Sequence, residues 1–159
     1  MAVVPCAIMR PTMGRADDLA VNVLRQGHPL RIKARGASML PLLRNGDVVT
    51  VTPAAPTDIR VGDVICYESV PGALMIHRVV ARAGDHLVAK GDALGSVESV
   101  SRARVLGKIT VVERSGRPMR LDTLAARLRN RVMATLSRRT PLFRLAVQAA
   151  RCLRAAARG

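Results

Sequence analysis

Aromatic residues are almost missing from this 159-residue chain, which has one tyrosine, one phenylalanine and no tryptophan. Proteins that bind single-stranded nucleic acid stack bases on aromatic side chains, so this class is disfavoured. Cysteine is scarce as well: Cys6, Cys66 and Cys152 are far apart and form no C-x-x-C pair. An odd number of distant cysteines excludes a disulfide-built scaffold and a cysteine zinc site, and it indicates a reducing compartment.

Long apolar runs are also lacking. No stretch approaches the roughly 20 apolar residues that span a bilayer. The uncharged run from Met1 to Met9 contains Pro5 and is too short for a signal peptide or a membrane helix. The sequence therefore predicts a cytoplasmic protein with no transmembrane helix. At 49% hydrophobic residues it can bury a core, and no cofactor or metal is expected.

Acidic residues are scarce in the C-terminal part. Residues 114–159 hold 12 arginines against one acid, Asp122, and so carry +11 of the chain's net charge of +15. Such a segment attracts an anionic partner. The first expectation for this tail is a helix that packs on the rest of the protein and leaves its arginines in water. Peripheral association with an anionic membrane at its inner face is the next candidate, and nucleic acid is the least favoured partner.

The central part of the chain has the alternation typical of strands. A short helix is predicted over residues 17–26, followed by strands near residues 30–35, 48–52, 61–65, 74–82, 86–90 and 104–113. Asn45-Gly46 is a strong turn signal, and the short connections leave no room for crossover helices. The predicted fold is mainly β, an antiparallel, barrel-like domain over residues 30–113. Residues 1–29 form a lead-in with the short helix, and residues 114–159 form an Arg-rich helical tail.

The tail has apolar residues at helical spacing. Leu121, Leu124, Leu128, Val132 and Leu136 recur with arginines between them, and Thr140-Pro141 interrupts the pattern. A second helical piece is predicted beyond it, with Leu142, Leu145, Ala149 and Leu153 on one face. The prediction is a basic, amphipathic helical tail.

Four polar residues are candidates for chemistry. Ser38 follows a glycine after the first strand, where a tight turn can expose a nucleophile. His77 lies in an apolar strand and can act as a base near neutral pH. Asp92 and Glu98 follow the fifth strand, and either carboxylate could orient an imidazole. Taken singly, each has an ordinary structural explanation in a turn or a packed strand. Cys66 is a weaker candidate nucleophile, because buried cysteines are usually inert.

Four boxes, taken together in this order, resemble the type I signal peptidase family of the archaeal and endoplasmic-reticulum type. They are Gly36-Ala37-Ser38-Met39-Leu40-Pro41 with Gly46-Asp47, then Val61-Gly62-Asp63-Val64-Ile65, then Ile76-His77-Arg78-Val79-Val80, and last Lys90-Gly91-Asp92. The resemblance covers about residues 30–112. It implies the β fold shared with LexA-like self-cleaving repressors and a serine endopeptidase activity.

The resemblance also implies roles for single residues. Ser38 would be the nucleophile, with its own N–H as an oxyanion donor, and His77 the general base. Asp92 matches the aspartate of the last box and Glu98 a second acidic position, and which of the two supports His77 stays open. Gly36 stands where bacterial members can offer a serine hydroxyl.

The expected substrate is a leader or precursor peptide. Housekeeping members carry a membrane helix before the serine, and none precedes Ser38 in this sequence. A dedicated peptidase is therefore expected, with the extended substrate paired to a sheet edge near Ser38. The alternative is a non-catalytic peptide-binding module whose basic tail binds membrane or nucleic acid.

Overall fold

The structure, a computed structural model, describes residues 15–70 and 73–139. Its elements in chain order are α1 (Arg15–Arg25), β1 (Leu30–Lys33), β2 (Val48–Thr52), β3 (Val64–Val70), β4 (Ala73–Ala83), β5 (His86–Lys90), β6 (Glu98–Ser101), β7 (Val105–Arg114), β8 (Arg117–Arg120) and α2 (Leu124–Arg139). Short 3-10 turns occur at Pro56–Asp58 and Arg102–Arg104.

All strand pairs are antiparallel, and the strands form one sheet in the order β1-β2-β7-β3-β4-β5-β6. The eighth strand, β8, forms a hairpin with the end of β7. The mainly-β antiparallel fold with a short N-terminal helix and a C-terminal helix is therefore confirmed. The sheet does not close, since β1 and β6 remain its two ends among the described strands.

Strand β3 is buried on both faces and separates two apolar clusters. Its alternating side chains send Val64 and Cys66 into a cluster with α1 and β2, and Ile65 and Tyr67 into a cluster with β4, β5 and β6. The second cluster thus brings the chain's only tyrosine into the interior beside β4.

Two turns with the same sequence pattern lead into β2 and β3. In Arg44–Asp47 and in Arg60–Asp63, the aspartate Oδ2 accepts a hydrogen bond from the backbone N–H of the arginine three residues earlier, at 2.8 and 2.9 Å. The glycine of each turn has a positive φ, +93° at Gly46 and +102° at Gly62, which favours glycine. The repeated Gly-Asp signal is therefore explained by turn geometry.

Helix α2 packs through its small residues. Ala126, Asn130 and Ala134 are buried, and a Cβ atom on Gly62 would lie 3.0 Å from the backbone nitrogen of Arg131. The leucine spacing predicts a packed apolar face. In the structure that face, from Leu124 to Leu136, is exposed, because the helix approaches the sheet closely only through small side chains.

The remaining differences are local. Neither β6 nor β8 was predicted, and β8 extends the sheet beyond residue 113 into the segment assigned to the tail. The lead-in over residues 1–14 and the second helical piece over residues 142–153 lie outside the described residues. No helix among the residues that the structure describes is long and apolar enough to cross a membrane.

Candidate active site

Ser38 lies in the turn-rich segment between β1 and β2 and is half-buried. Its carbonyl oxygen accepts a hydrogen bond of 2.8 Å from the N–H of Ala93. A Cβ atom on Gly91 would lie only 2.7 Å from the same oxygen, so the close approach requires glycine there. The Lys90-Gly91-Asp92 box therefore contacts the Ser38 segment directly through its backbone.

A buried carboxylate holds the far end of the Ser38 segment. Asp47 receives hydrogen bonds from Arg114, the shortest being 2.6 Å from Nη2, and the same Nη2 donates to the carbonyl of Leu42 at 2.9 Å. The hydrogen bonds of Arg114 keep the pKa of the Asp47 carboxyl below its usual value. The segment that carries Ser38 is thus fixed at both ends.

His77 is buried on β4, and its two ring nitrogens have different surroundings. Nδ1 lies 2.9 Å from the hydroxyl oxygen of Tyr67, whereas Nε2 is buried and has no hydrogen-bond partner among the described residues. Because Tyr67 and Ile65 project to the same side of β3, and Ile65 pairs with His77, the phenol is a diagonal neighbour of the imidazole.

The hydroxyl of Tyr67 also contacts Glu98. It donates a hydrogen bond of 2.6 Å to Oε2 of Glu98. Burial, reinforced by the hydrogen bond to Glu98, raises the pKa of Tyr67 far above its usual value, so the phenol keeps its proton. Since that single proton points to Glu98, the oxygen accepts from Nδ1–H of His77. The lone pair of the neutral imidazole is then on Nε2.

Of the two carboxylates that could support His77, Asp92 contacts Arg78 instead. Both of its oxygens accept hydrogen bonds from Arg78, from Nε and Nη2, each at 2.7 Å. The two side chains are 1% and 2% exposed for Arg78 and Asp92, and Nη1 of Arg78 donates to the carbonyl of Gly62 at 3.0 Å. Asp92 therefore does not hydrogen-bond His77, and Glu98 reaches the imidazole through Tyr67.

Burial dominates the charge state of His77. Desolvation lowers the pKa of the imidazole below its usual value, although the negative charges of Glu98 and Asp92 act in the opposite direction. His77 is consequently neutral at pH 7. A neutral imidazole with a free Nε2 lone pair has the protonation state that a general base requires.

The structure connects the four candidate residues as two pairs. Glu98 joins His77 through Tyr67, and Asp92 lies one residue before Ala93, whose N–H binds the carbonyl oxygen of Ser38. Nε2 of His77 makes no hydrogen bond to the Ser38 hydroxyl. Gly36 has φ +84° and offers no hydroxyl.

Tyr67 is the residue that the sequence analysis missed. Its only signal in the sequence is that it is the chain's one tyrosine. Its place beside His77 follows from the strand register that pairs Ile65 with His77. Cys66, next to it, is a buried free thiol whose pKa burial raises to about 12, so it is not a nucleophile.

Neither the protein-family models nor the curated proteins contain a match to this chain.

Proposed function

We propose that this protein is a serine endopeptidase of signal-peptidase type that cleaves leader or precursor peptides, with Ser38 as nucleophile and His77 as general base. The observation that carries the proposal is the imidazole of His77. Its Nδ1–H is fixed by the Tyr67–Glu98 pair, and its Nε2 lone pair is buried and unpartnered among the described residues. An unsatisfied buried acceptor costs about 1–3 kcal/mol, and its retention favours a functional role.

In the proposed reaction His77 takes up a proton and gives it away again in both half-reactions, acylation and deacylation. Nε2 of His77 takes the hydroxyl proton of Ser38 as Oγ bonds to the carbonyl carbon of the scissile peptide. The proton passes to the leaving amine as the C–N bond breaks, which leaves an acyl-enzyme. Water then gives a proton to Nε2 as its oxygen bonds to the ester carbonyl carbon. Nε2 returns that proton to Oγ of Ser38 as the ester C–O bond breaks, which releases the new C-terminal carboxyl group and regenerates Ser38. Throughout, Tyr67 and Glu98 hold the ring and stabilise its protonated form.

A peptide substrate has an available strand edge. Strand β1 pairs only with β2 among the described strands and ends five residues before Ser38. An extended peptide added there gains backbone hydrogen bonds without a deep pocket. The resemblance implies small residues before the cleaved bond. The free thiol of Cys66 supports a reducing, cytoplasmic location for the reaction.

The test is a comparison of protein N-termini in the native host with wild-type protein and with Ser38→Ala. Ser99→Ala, at an exposed serine of β6, is the matched control. A small set of N-termini should disappear with Ser38→Ala alone and return when purified wild-type enzyme is added. Identical N-termini in all three strains, with the protein expressed, would refute the proposal.

One observation favours a second candidate, a peptide-binding module that does not cleave. The His77 Nε2 atom makes no hydrogen bond to Ser38, although such contacts often tighten only when substrate binds. A binding module would retain its peptide in the Ser38→Ala and wild-type proteins equally and release no product from either.

A further inference from the structure

Helix α2 turns its apolar side chains away from the protein. Leu124 is 83% exposed and Leu128 is 67% exposed, and Val132 and Leu136 continue the series at four-residue intervals. Residues at this spacing form one stripe along a helix of about 24 Å. We call these four residues the α2 stripe. An exposed apolar stripe on a helix whose other side is already packed marks an interaction surface.

A cavity of about 770 Å³ opens beside the stripe, between α2 and the β domain. Leu124 and Leu128 line it, so two members of the α2 stripe border the cavity. Five cationic side chains also line it, against two acids, Asp58 and Asp63. The five are Arg60, Arg82, Lys108, Arg127 and Arg131. We call these five residues the cationic cluster.

Acidic groups near the cationic cluster are few: Asp58 and Asp63 line the same cavity, and the charge of Arg127 acts on Asp122. Within the part of the chain that the structure describes, none of its members lies within ion-pair distance of a carboxylate, whereas five other arginines do. Asp63 uses Oδ2 to accept the N–H of Arg60 and thereby closes its own turn. The cluster is therefore available to an external anion.

From this juxtaposition we infer that α2 docks on the surface of an anionic phospholipid bilayer. Lipid phosphates enter the cationic cluster, and the α2 stripe enters the boundary between headgroups and acyl chains. Helices with an apolar stripe flanked by basic residues bind lipid interfaces in this way. Nucleic acid matches the charge but offers no apolar partner for four exposed aliphatic side chains. This inference concerns a surface that contains neither Ser38 nor His77, so it stands apart from the peptidase proposal.

The contribution of the cationic cluster to lipid binding is measured with the full-length protein and sedimenting vesicles at about 0.15 M salt. Phosphatidylcholine vesicles with added phosphatidylglycerol should bind the protein, and phosphatidylcholine alone should not. Each basic residue at such a surface contributes about fivefold to partitioning, so Arg127→Gln with Arg131→Gln should weaken binding about 30-fold. The control pair is Arg44→Gln with Arg117→Gln, two exposed arginines outside the cavity, and it should bind like wild type.

The contribution of the α2 stripe to lipid binding is measured with Leu128→Ser. The matched control is Leu19→Ser on α1, where Leu19 is 64% exposed. Leu128→Ser should weaken vesicle binding about tenfold and leave the melting temperature unchanged, and Leu19→Ser should change neither. A lowered melting temperature for Leu128→Ser would overturn the inference, since the stripe would then be covered by protein. Equal binding to both vesicle types, no binding to either, or an arginine effect on duplex DNA alone would also overturn it.

Discussion

The buried pair of Arg78 and Asp92 is expected to support the fold and not the reaction. Three hydrogen bonds of 2.7 to 3.0 Å bind the Arg78 guanidinium to Asp92 and to the carbonyl of Gly62. Both side chains are almost fully excluded from water. Replacing Asp92 with alanine leaves the buried Arg78 cation with one partner, the carbonyl of Gly62. Glu98, the other candidate carboxylate, is connected to His77 through Tyr67.

The expected cost is large. Removing one partner of a buried ion pair costs about 3–5 kcal/mol, out of a total stability of about 5–15 kcal/mol for an ordinary domain. With an m value of about 2 kcal/mol/M, a loss of 4 kcal/mol lowers the urea midpoint by about 2 M. Replacing both residues, Arg78→Met with Asp92→Leu, removes the charge and its counterion together. The double variant should therefore regain most of the loss.

The assay is urea unfolding followed by circular dichroism, with Glu98→Ala as the matched carboxylate variant. Glu98→Ala removes one acceptor of a half-buried hydrogen bond and should cost about 1 kcal/mol. Its peptidase activity should fall by about 100-fold, because His77 loses the support of the Tyr67–Glu98 pair. The double variant at positions 78 and 92 should keep its activity. If Asp92→Ala unfolds within 1 kcal/mol of wild type, or if the double variant is inactive while folded, the structural assignment of the pair is refuted.

Four further outcomes follow from single contacts. Tyr67→Phe removes the acceptor of Nδ1–H, so kcat should fall by about 100-fold with little change in KM; unchanged kcat would exclude the phenol from the site. Because burial lowers the pKa of His77, activity should persist at pH values where an ordinary histidine is protonated. Activity should fall only as the pH drops through that lowered pKa. A loss of activity centred above pH 6.5 would contradict this expectation. Gly62→Ala strains a positive φ and collides with the α2 backbone, so protease should cleave α2 faster than in wild type; equal rates would show that the contact is dispensable. Cys66 should resist alkylation in the native protein and react after unfolding, as its raised pKa of about 12 requires; native labelling of its peptide would disprove burial.

The strands that the sequence predicted best are those with their own local signals. Residues 48–52 are β-branched and follow the Asn45-Gly46 turn, and residues 86–90 alternate cleanly, so both were predicted with the bounds they have. Strand β6 has one buried apolar residue, Val100, and its extended form depends on pairing with β5. Strand β8 contains Pro118 and exists because β7 continues beyond β3 and leaves an edge to pair with. Pairing of this kind has no local signature.

The packed face of α2 shows a second limit of prediction from the sequence. Periodicity identified the helix and its apolar stripe, but it assigned the stripe to the interior. The packed face is set by a long-range fit, in which Gly62 permits a backbone approach and Ala126 and Ala134 are small enough to use it. Helical spacing locates a stripe, and only the opposing surface decides whether that stripe is covered.

The order of the boxes along the chain named Ser38, His77, Asp92 and Glu98 as candidates, and their catalytic roles stay predictions. The contacts among these side chains depend on strand register, which the order of the boxes does not give. Tyr67 joins the group because Ile65 pairs with His77, and the sequence does not specify that register. The sequence left open whether Asp92 or Glu98 contacts the His77 side of the site. Because successive residues of β4 face opposite sides, Asp92 meets Arg78 instead.

That alternation on β4 also connects the two proposed functional surfaces. His77 projects toward Tyr67, and the next residue, Arg78, projects toward Asp92 and binds the carbonyl of Gly62. Gly62 in turn lies against the backbone of α2 at Arg131. Two residues of one strand and one glycine thus fix the candidate active site relative to the α2 stripe. A protein docked on lipid through α2 would hold His77 at one defined orientation to the membrane, which suits a peptidase whose precursor substrates are presented at that surface.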